Sequence, residues 1–245
     1  MGIMVTFTGK AGSGKSTILT NTACLLARER QVTVACLSCD MRYPSLPFFF
    51  KGVDVPAHRS IGKLFADPTP ATQLIEYPDC KGVFVTATAV TDSAMEYEPP
   101  GRETILAFFQ RLNNAFDVLL IEAGEYQLNF FSALAVRQCD VLINVITQTI
   151  QSLAWEKANV KLLEELRDGQ PIHILNADSD SYPSEDFKRA IGNMIVSLPY
   201  LDQLLTSTEQ GEPFCLQSSF GRSGRRYYKG IERLADIILE GGEME

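Results

Sequence analysis

Apolar positions along the chain follow two alternating patterns. Short runs of β-branched and other apolar residues, such as Val118–Ile121, give way to longer stretches in which apolar residues recur every three or four positions. The short runs predict strands near 2–8, 32–38, 82–88, 117–123, 140–147, 172–178 and 194–198. The longer stretches predict helices near 14–29, 102–114, 128–138, 151–167, 184–192 and 224–240. Several strands are apolar throughout, as strands covered on both faces are. The alternation implies an α/β fold, a mostly parallel sheet of seven or eight strands with helices on both faces in three layers. The 245 residues suffice for one domain spanning 1–245, and no second is required.

Two stretches break this rhythm. Met41 to Lys81 is rich in Pro, Phe and Asp, and Ala89 to Gly101 contains EYEPPG. Loops beyond about 12 residues are uncommon unless they form a lid or a contact surface. For the first, a small helical insertion around Ile61 to Phe65 is the alternative. Its SLPFFF, Ser45 to Phe50, carries three consecutive phenylalanines that cannot all point inward on one regular element. Either part of this loop meets a partner, or the rings are buried within the insertion.

Composition narrows the classes. Hydrophobic residues make up 45% and charged residues 21%, as in globular chains, so disorder and fibrous repeats are not indicated. The apolar runs are strand-sized and none spans a membrane. The N-terminus enters a strand with no leader pattern, so a cytoplasmic location is expected. The six cysteines, at 24, 36, 39, 80, 139 and 215, are scattered and read as small buried hydrophobes. Cys36 and Cys39 form a C-x-x-C without a second pair to complete a metal site. Neither His58 nor His173 belongs to a nucleophilic or metal constellation, and Trp155 reads as core. A net charge of −8 opposes a polyanion as general partner.

The chemistry is concentrated near the N-terminus. Gly9 to Ser16, GKAGSGKS, fits G-x-x-x-x-G-K-[ST] in full, after a predicted strand and before a predicted helix. This is a P-loop. Glycines at 9, 12 and 14 permit backbone angles that turn N–H groups inward as an anion nest. The helix N-terminus adds partial positive charge, Lys15 adds a full one, and the Ser16 hydroxyl can ligate Mg²⁺. Gly9, Lys10, Ala11, Gly12, Ser13, Gly14, Lys15, Ser16 and Thr17 form the candidate phosphate-binding set.

The loop carries a second lysine, Lys10, and in this KAGSGKS resembles the deviant Walker A motif of the MinD/ParA superfamily of P-loop ATPases, with Ala11 at the usual first glycine. The resemblance extends along nearly all of the chain. It implies ATP/ADP and Mg²⁺ as ligands, and a Lys10 that reaches across a homodimer to the partner's phosphates. VTVACLSCDMRYPSL resembles the second motif, a strand followed by D-x-D. Asp40 matches the aspartate that orients the attacking water and is a further candidate for the metal's surroundings, while Ser38 stands where the first aspartate is usual. FDVLLIEAG occupies the Walker B position with Glu122 as the Mg²⁺ carboxylate, longer than aspartate by about 1.5 Å. Mg²⁺ demands near-octahedral geometry at about 2.0–2.1 Å, so slow hydrolysis is expected. Asn176 matches the asparagine that reads the adenine edge, and Pro199, with Tyr200, the segment beside the base.

Three readings follow. The first is an ATP-gated dimerisation switch that positions or regulates an assembly of cell-pole, partition, pilus or secretion type. The second is a tyrosine-kinase-like protein, since DMRYPSL also resembles capsule-type bacterial tyrosine kinases, although no tyrosine-rich tail accompanies it and Tyr227 and Tyr228 fall beside or in a helix. The third is a nucleotide-dependent scaffold with little hydrolysis, supported by Ser38, Glu122 and the turn at 123–125 without proline. The last helix carries Tyr227, Ile231, Leu234 and Ile238 on one face and Arg225, Arg226, Lys229 and Arg233 broadly on the other. That basic strip reads as a solvated face, with DNA or an acidic protein as the alternative. No C-terminal membrane-targeting helix is expected after Ile238.

Overall fold

The computed structural model describes residues 1–41, 43–92, 97–98, 100–124, 129–178, 187, 189, 191 and 194–242. Eight strands form one sheet: β1 (Ile3–Thr8), β2 (Val34–Ser38), β3 (Ile75–Glu76), β4 (Val83–Thr86), β5 (Val118–Glu122), β6 (Val141–Thr147), β7 (Ile172–Asp178) and β8 (Met194–Pro199). Their order is β3-β4-β2-β5-β1-β6-β7-β8. All neighbours are parallel except β3, which runs antiparallel to β4 at the edge. The two-residue β3 is too short to register as a periodic run.

The helices are α1 (Lys15–Arg30), α2 (Ile61–Leu64), α3 (Arg102–Ala115), α4 (Phe130–Gln138), α5 (Ile150–Leu166), α6 (Asp202–Glu209) and α7 (Arg222–Leu239). The helix expected over 184–192 falls mostly outside the described residues, as does the middle of the 89–101 stretch. The sequence pattern missed α6. Its eight residues DQLLTSTE bury only Ser207, so no apolar stripe announces it.

Alternation along each strand sends side chains to two cores. Val5 and Phe7 of β1, Val34 and Cys36 of β2 and Val118 and Leu120 of β5 pack beneath α1 and α7. Met4, Ala35, Leu37, Leu119 and Ile121 join α3, α4 and Leu163 of α5 on the other face. Central strands are thus apolar on both faces because both are covered.

The described residues of the 41–81 segment pack on both cores. Leu46 and Phe50 join the α1 face, with Phe50 edge-on to Tyr77 at 5.1 Å. Ile61, Leu64, Phe65 and Leu74 join the other face. Lys51 N donates to Gly211 O at 2.7 Å, fastening this segment to the turn after α6. Of the three consecutive phenylalanines, Phe50 is 1% exposed and Phe48 67%. All six cysteines are buried and unbridged, and among the described residues no group of three or more His, Cys, Asp or Glu is arranged for a metal ion. His173 is structural, its Nε2 lying 3.0 Å from Glu156 Oε1 in a buried contact. Among the described residues no helix is long and apolar enough to cross a membrane.

Among the buried polar groups left without a partner within this packing is a tyrosine hydroxyl. Tyr227 of α7 is fully buried, its ring edge-on to Phe214 at 5.6 Å, and its hydroxyl has no hydrogen-bond partner among the described residues. An unpaired buried hydroxyl costs about 1–3 kcal/mol. Tyr227→Phe is therefore expected to stabilise the fold by about 1 kcal/mol in urea unfolding. A destabilised variant would mean that the hydroxyl has a partner in solution.

Candidate functional site

The parallel strands end on one edge of the sheet, and the segments that leave β1, β2 and β5 enclose a cleft of about 780 Å³. It is lined by the loop after β1, by Asp40 and Tyr43 after β2, by Glu122 and Gly124 at the end of β5, and by Phe49, Trp155 and Thr208. A hollow of about 150 Å³ adjoins it, lined by Asn176, Ala177, Pro199, Tyr200 and leucines of the α6 region. Thr17 and Thr208 line both. Ligands of open α/β sheets bind at this carboxyl edge.

The loop's shape follows from its glycines. Gly9 has φ 135° and Gly14 φ 93°, angles a side chain rarely tolerates. Neither position has room for one: a Cβ on Gly9 would lie 2.3 Å from Val145 O, and one on Gly14 2.2 Å from Asn176 Nδ2. Gly14 leads into α1 without a side-chain cap, and the first turn of α1 holds no acidic residue. Asn129 caps α4 and Thr149 caps α5 by accepting from backbone N–H groups, whereas α2, α3, α6 and α7 have no side-chain cap either, so what distinguishes α1 is the glycine-bent loop and lysine at its start. Lys15 turns back over the loop, and its Nζ donates to Gly9 O at 3.0 Å and Lys10 O at 3.2 Å. The site thus gathers a helix N-terminus, an ammonium group and a glycine-bent backbone, all favouring an anion.

Opposite lies an acidic centre. Glu122 is aligned with Phe7 on one side and Ser38 on the other, and its Oε1 accepts from the Ser16 hydroxyl. It is only 7% exposed. Burial pushes its pKa up, while the Ser16 hydrogen bond and the Lys15 charge oppose that shift. The neighbouring turn is pinned to it: Cys39 N donates to Glu122 O at 2.9 Å, and Asn129 Nδ2 donates to Cys39 O at 2.8 Å. Asp40 N donates to the buried Ser38 hydroxyl at 3.3 Å, and Asp40 Oδ1 accepts from Tyr43 N at 3.0 Å.

No protein-family model matches the sequence, and no curated protein does either. Solved structures do. MinD of Pyrococcus horikoshii, a septum site-determining protein complexed with Mg-ADP, superposes with a TM-score of 0.73 at 17% identity, covering 100% of both chains. A ParA family ATPase from Chlorobium tepidum gives 0.71 at 18%, covering 95% of this chain and 98% of that one. MinD from the MinC:MinD complex of Aquifex aeolicus gives 0.76 at 19%, covering 99% and 97%.

The chain has the MinD/ParA fold. Within that fold, Gly9 to Gly12, Gly14 to Thr17, Asp40 and Glu122 share one cleft, and Asn176 and Pro199 line the hollow beside it. Ser13 is the exception. Its side chain is 1% exposed beneath the loop, where its hydroxyl has no partner among the described residues. Lys10 stands at the cleft, its Nζ donating to Ala11 O of its own loop at 3.1 Å. Arg225, Arg226, Lys229 and Arg233 are exposed on α7 and do not line the cleft. Arg226 Nη2 lies 3.8 Å from Asp178 Oδ2.

Sequence reasoning missed Tyr43, Phe49 and Thr208 as lining residues, and misjudged Trp155. The tryptophan packs against one core but also lines the cleft, because α5 starts directly behind the carboxyl end of β6. Tyr43 lay within the quoted DMRYPSL and was the one with a signal. Phe49 and Thr208 arrive through the docking of the 41–81 segment and α6, which no local pattern encodes.

Burial of Glu122 has a measurable cost. With its pKa raised in the folded chain, its contribution to stability is complete below the unfolded value of 4.5 and is lost as pH rises through the folded value. Glu122→Gln keeps the shape and the acceptor for Ser16. Without divalent metal, it is expected to melt at a higher temperature than wild type at neutral pH, the gap closing toward about pH 4. A variant less stable at neutral pH would contradict this.

Proposed function

We propose that the chain is a MinD/ParA-like ATPase switch, acting as a single P-loop domain over 1–245, which binds ATP with Mg²⁺ and dimerises through its nucleotide face. The observation that carries this reading is the uncapped N-terminus of α1 under a glycine loop, with Lys15 folded over it. The loop N–H groups and Lys15 would neutralise the phosphates. Ser16 and Glu122, already in contact, offer two hard oxygen donors suited to Mg²⁺, which is held by few protein ligands and several waters. The buried, proton-favouring Glu122 fits a group that meets a cation in use. Bound Mg²⁺ would supply charge neutralisation on the phosphates. Asn176, Pro199 and Tyr200 would hold the base, Asp40 would orient water, and Lys10 would act on the partner subunit's nucleotide.

Hydrolysis is expected to be slow. Ser38 can hydrogen-bond but brings no charge to the water site, and Glu122 is longer than the carboxylate it replaces. These two residues also favour the third reading, a nucleotide-dependent scaffold that turns over little. The kinase reading loses ground, because Tyr227 is fully buried and the Tyr228 hydroxyl accepts from Arg28 Nη2 at 3.4 Å. A protein partner that reads or stimulates the nucleotide state fits the switch, as the Aquifex MinD neighbour is complexed with MinC. DNA is not favoured, and the cytoplasm is the expected location.

Sizing by light scattering with ATP and Mg²⁺ tests the switch. Wild type is expected to move from monomer to dimer, and Lys10→Ala to bind ATP yet stay monomeric; a wild type that stays monomeric at saturating ATP sinks the reading. Lys15→Ala should weaken ATP binding by about 10–100-fold, the loss of charge-assisted hydrogen bonds to phosphate. Phosphate release separates the switch from the scaffold, which would bind ATP without steady turnover.

A further inference from the structure

The hollow and the phosphate loop are joined by one side chain. Asn176 Nδ2 donates to Ser13 O at 2.8 Å, and the same amide fills the space that a Cβ on Gly14 would need. A carbonyl oxygen can only be met by the amide nitrogen, so the orientation of Asn176 is fixed by chemistry, its Oδ1 being turned from Ser13. Asn176 also lines the hollow with Pro199 and Tyr200.

The backbone around Asn176 is built to place it. The pairing of β7 with β8 slips between Leu175 and Asp178, an irregularity of the kind that re-aims a side chain beside a site. Ala177 has φ 56°, a left-handed conformation that costs a residue with a Cβ about 1–2 kcal/mol. The only other non-glycine residue of positive φ among the described residues is Gln31, which ends α1. Either side of the irregularity, the chain is pinned. Asn176 is aligned with Thr147 of β6, and Asp178 accepts from Gln148 Nε2 at 3.1 Å and from the Ser197 hydroxyl. Strain held in place by its surroundings, next to a site, points to a positioning task.

We infer that Asn176 is a positioning residue for the phosphate loop: through Ser13 O it holds the Gly12–Lys15 turn in its anion-binding form, so that base hollow and phosphate loop are set by one amide. This rests on the nucleotide-site reading above and adds to the base-edge role that the resemblance implies. A residue that only read the base would leave the loop indifferent to its loss.

Two variants test it. Asn176→Ala removes the donor, and Asn176→Asp keeps the shape but sets a carboxylate against the Ser13 carbonyl. Hydrogen exchange on the ligand-free protein is expected to quicken in the peptide covering Gly9 to Lys15 in both, with β1 and β6 unchanged. Binding of Mg²⁺ with inorganic tripolyphosphate, which has no base, and of Mg·ATP should weaken together, by about fivefold for Asn176→Ala, one neutral hydrogen bond's worth, and by more for Asn176→Asp. Loop exchange that stays at the wild-type rate, or weakened ATP binding with tripolyphosphate untouched, would overturn the inference. If wild type bound neither ligand, the nucleotide reading would fail, while the exchange experiment would still decide whether Asn176 holds the loop.

Discussion

Everything at the site depends on backbone being allowed closer than a side chain would permit. The loop after β1 comes against Val145 O of β6 at Gly9 and against the Asn176 amide of β7 at Gly14. Central β1 lies between β5 and β6, so a loop leaving its carboxyl end is surrounded by neighbouring strand ends. Glycine lets the chain turn there, and the turn delivers an uncapped helix N-terminus to the mouth of a cleft. An anion-binding device is the consequence of that geometry, before any charged side chain is counted.

Charge is then arranged around it. Lys15 bends onto the loop's own carbonyls, placing its ammonium over the nest rather than in bulk solvent. Glu122 is buried against Ser16 at the end of β5, in surroundings that disfavour its charge. The acidic turn at Asp40 is fixed to the same strand by a backbone hydrogen bond from Cys39 N to Glu122 O. Positive and negative parts therefore belong to adjacent strands, and their relative placement is as rigid as the sheet.

The layered fold was legible because central strands buried on both faces leave continuous apolar runs, and because α1, α3 and α7 carry recognisable periods. The glycine-bent loop after β1 was legible for a different reason: its glycines and Lys15 occur together, at fixed spacing, in one local geometry. What escaped was tertiary. The β3 edge pairs only two residues, α6 has no apolar stripe, and Trp155 reaches the cleft from a helix whose packing leaves it partly buried. For 41–81, where either a lid or contact loop or a small helical insertion around Ile61 to Phe65 was expected, a short helix forms at Ile61–Leu64, and Phe50 and Phe65 anchor the segment to opposite cores. Asn176 could be picked out by resemblance, but its grip on Ser13 depends on an irregular strand pairing and on Ala177, neither of which a sequence pattern displays.

The central claim, that this loop is formed to hold nucleotide phosphate, is tested most directly by calorimetric titration of the protein with Mg·ATP. The account predicts saturable binding of one nucleotide per chain, abolished or strongly weakened when Lys15 is replaced by alanine. Absence of saturable binding at millimolar ATP, or binding indifferent to that replacement, would contradict it.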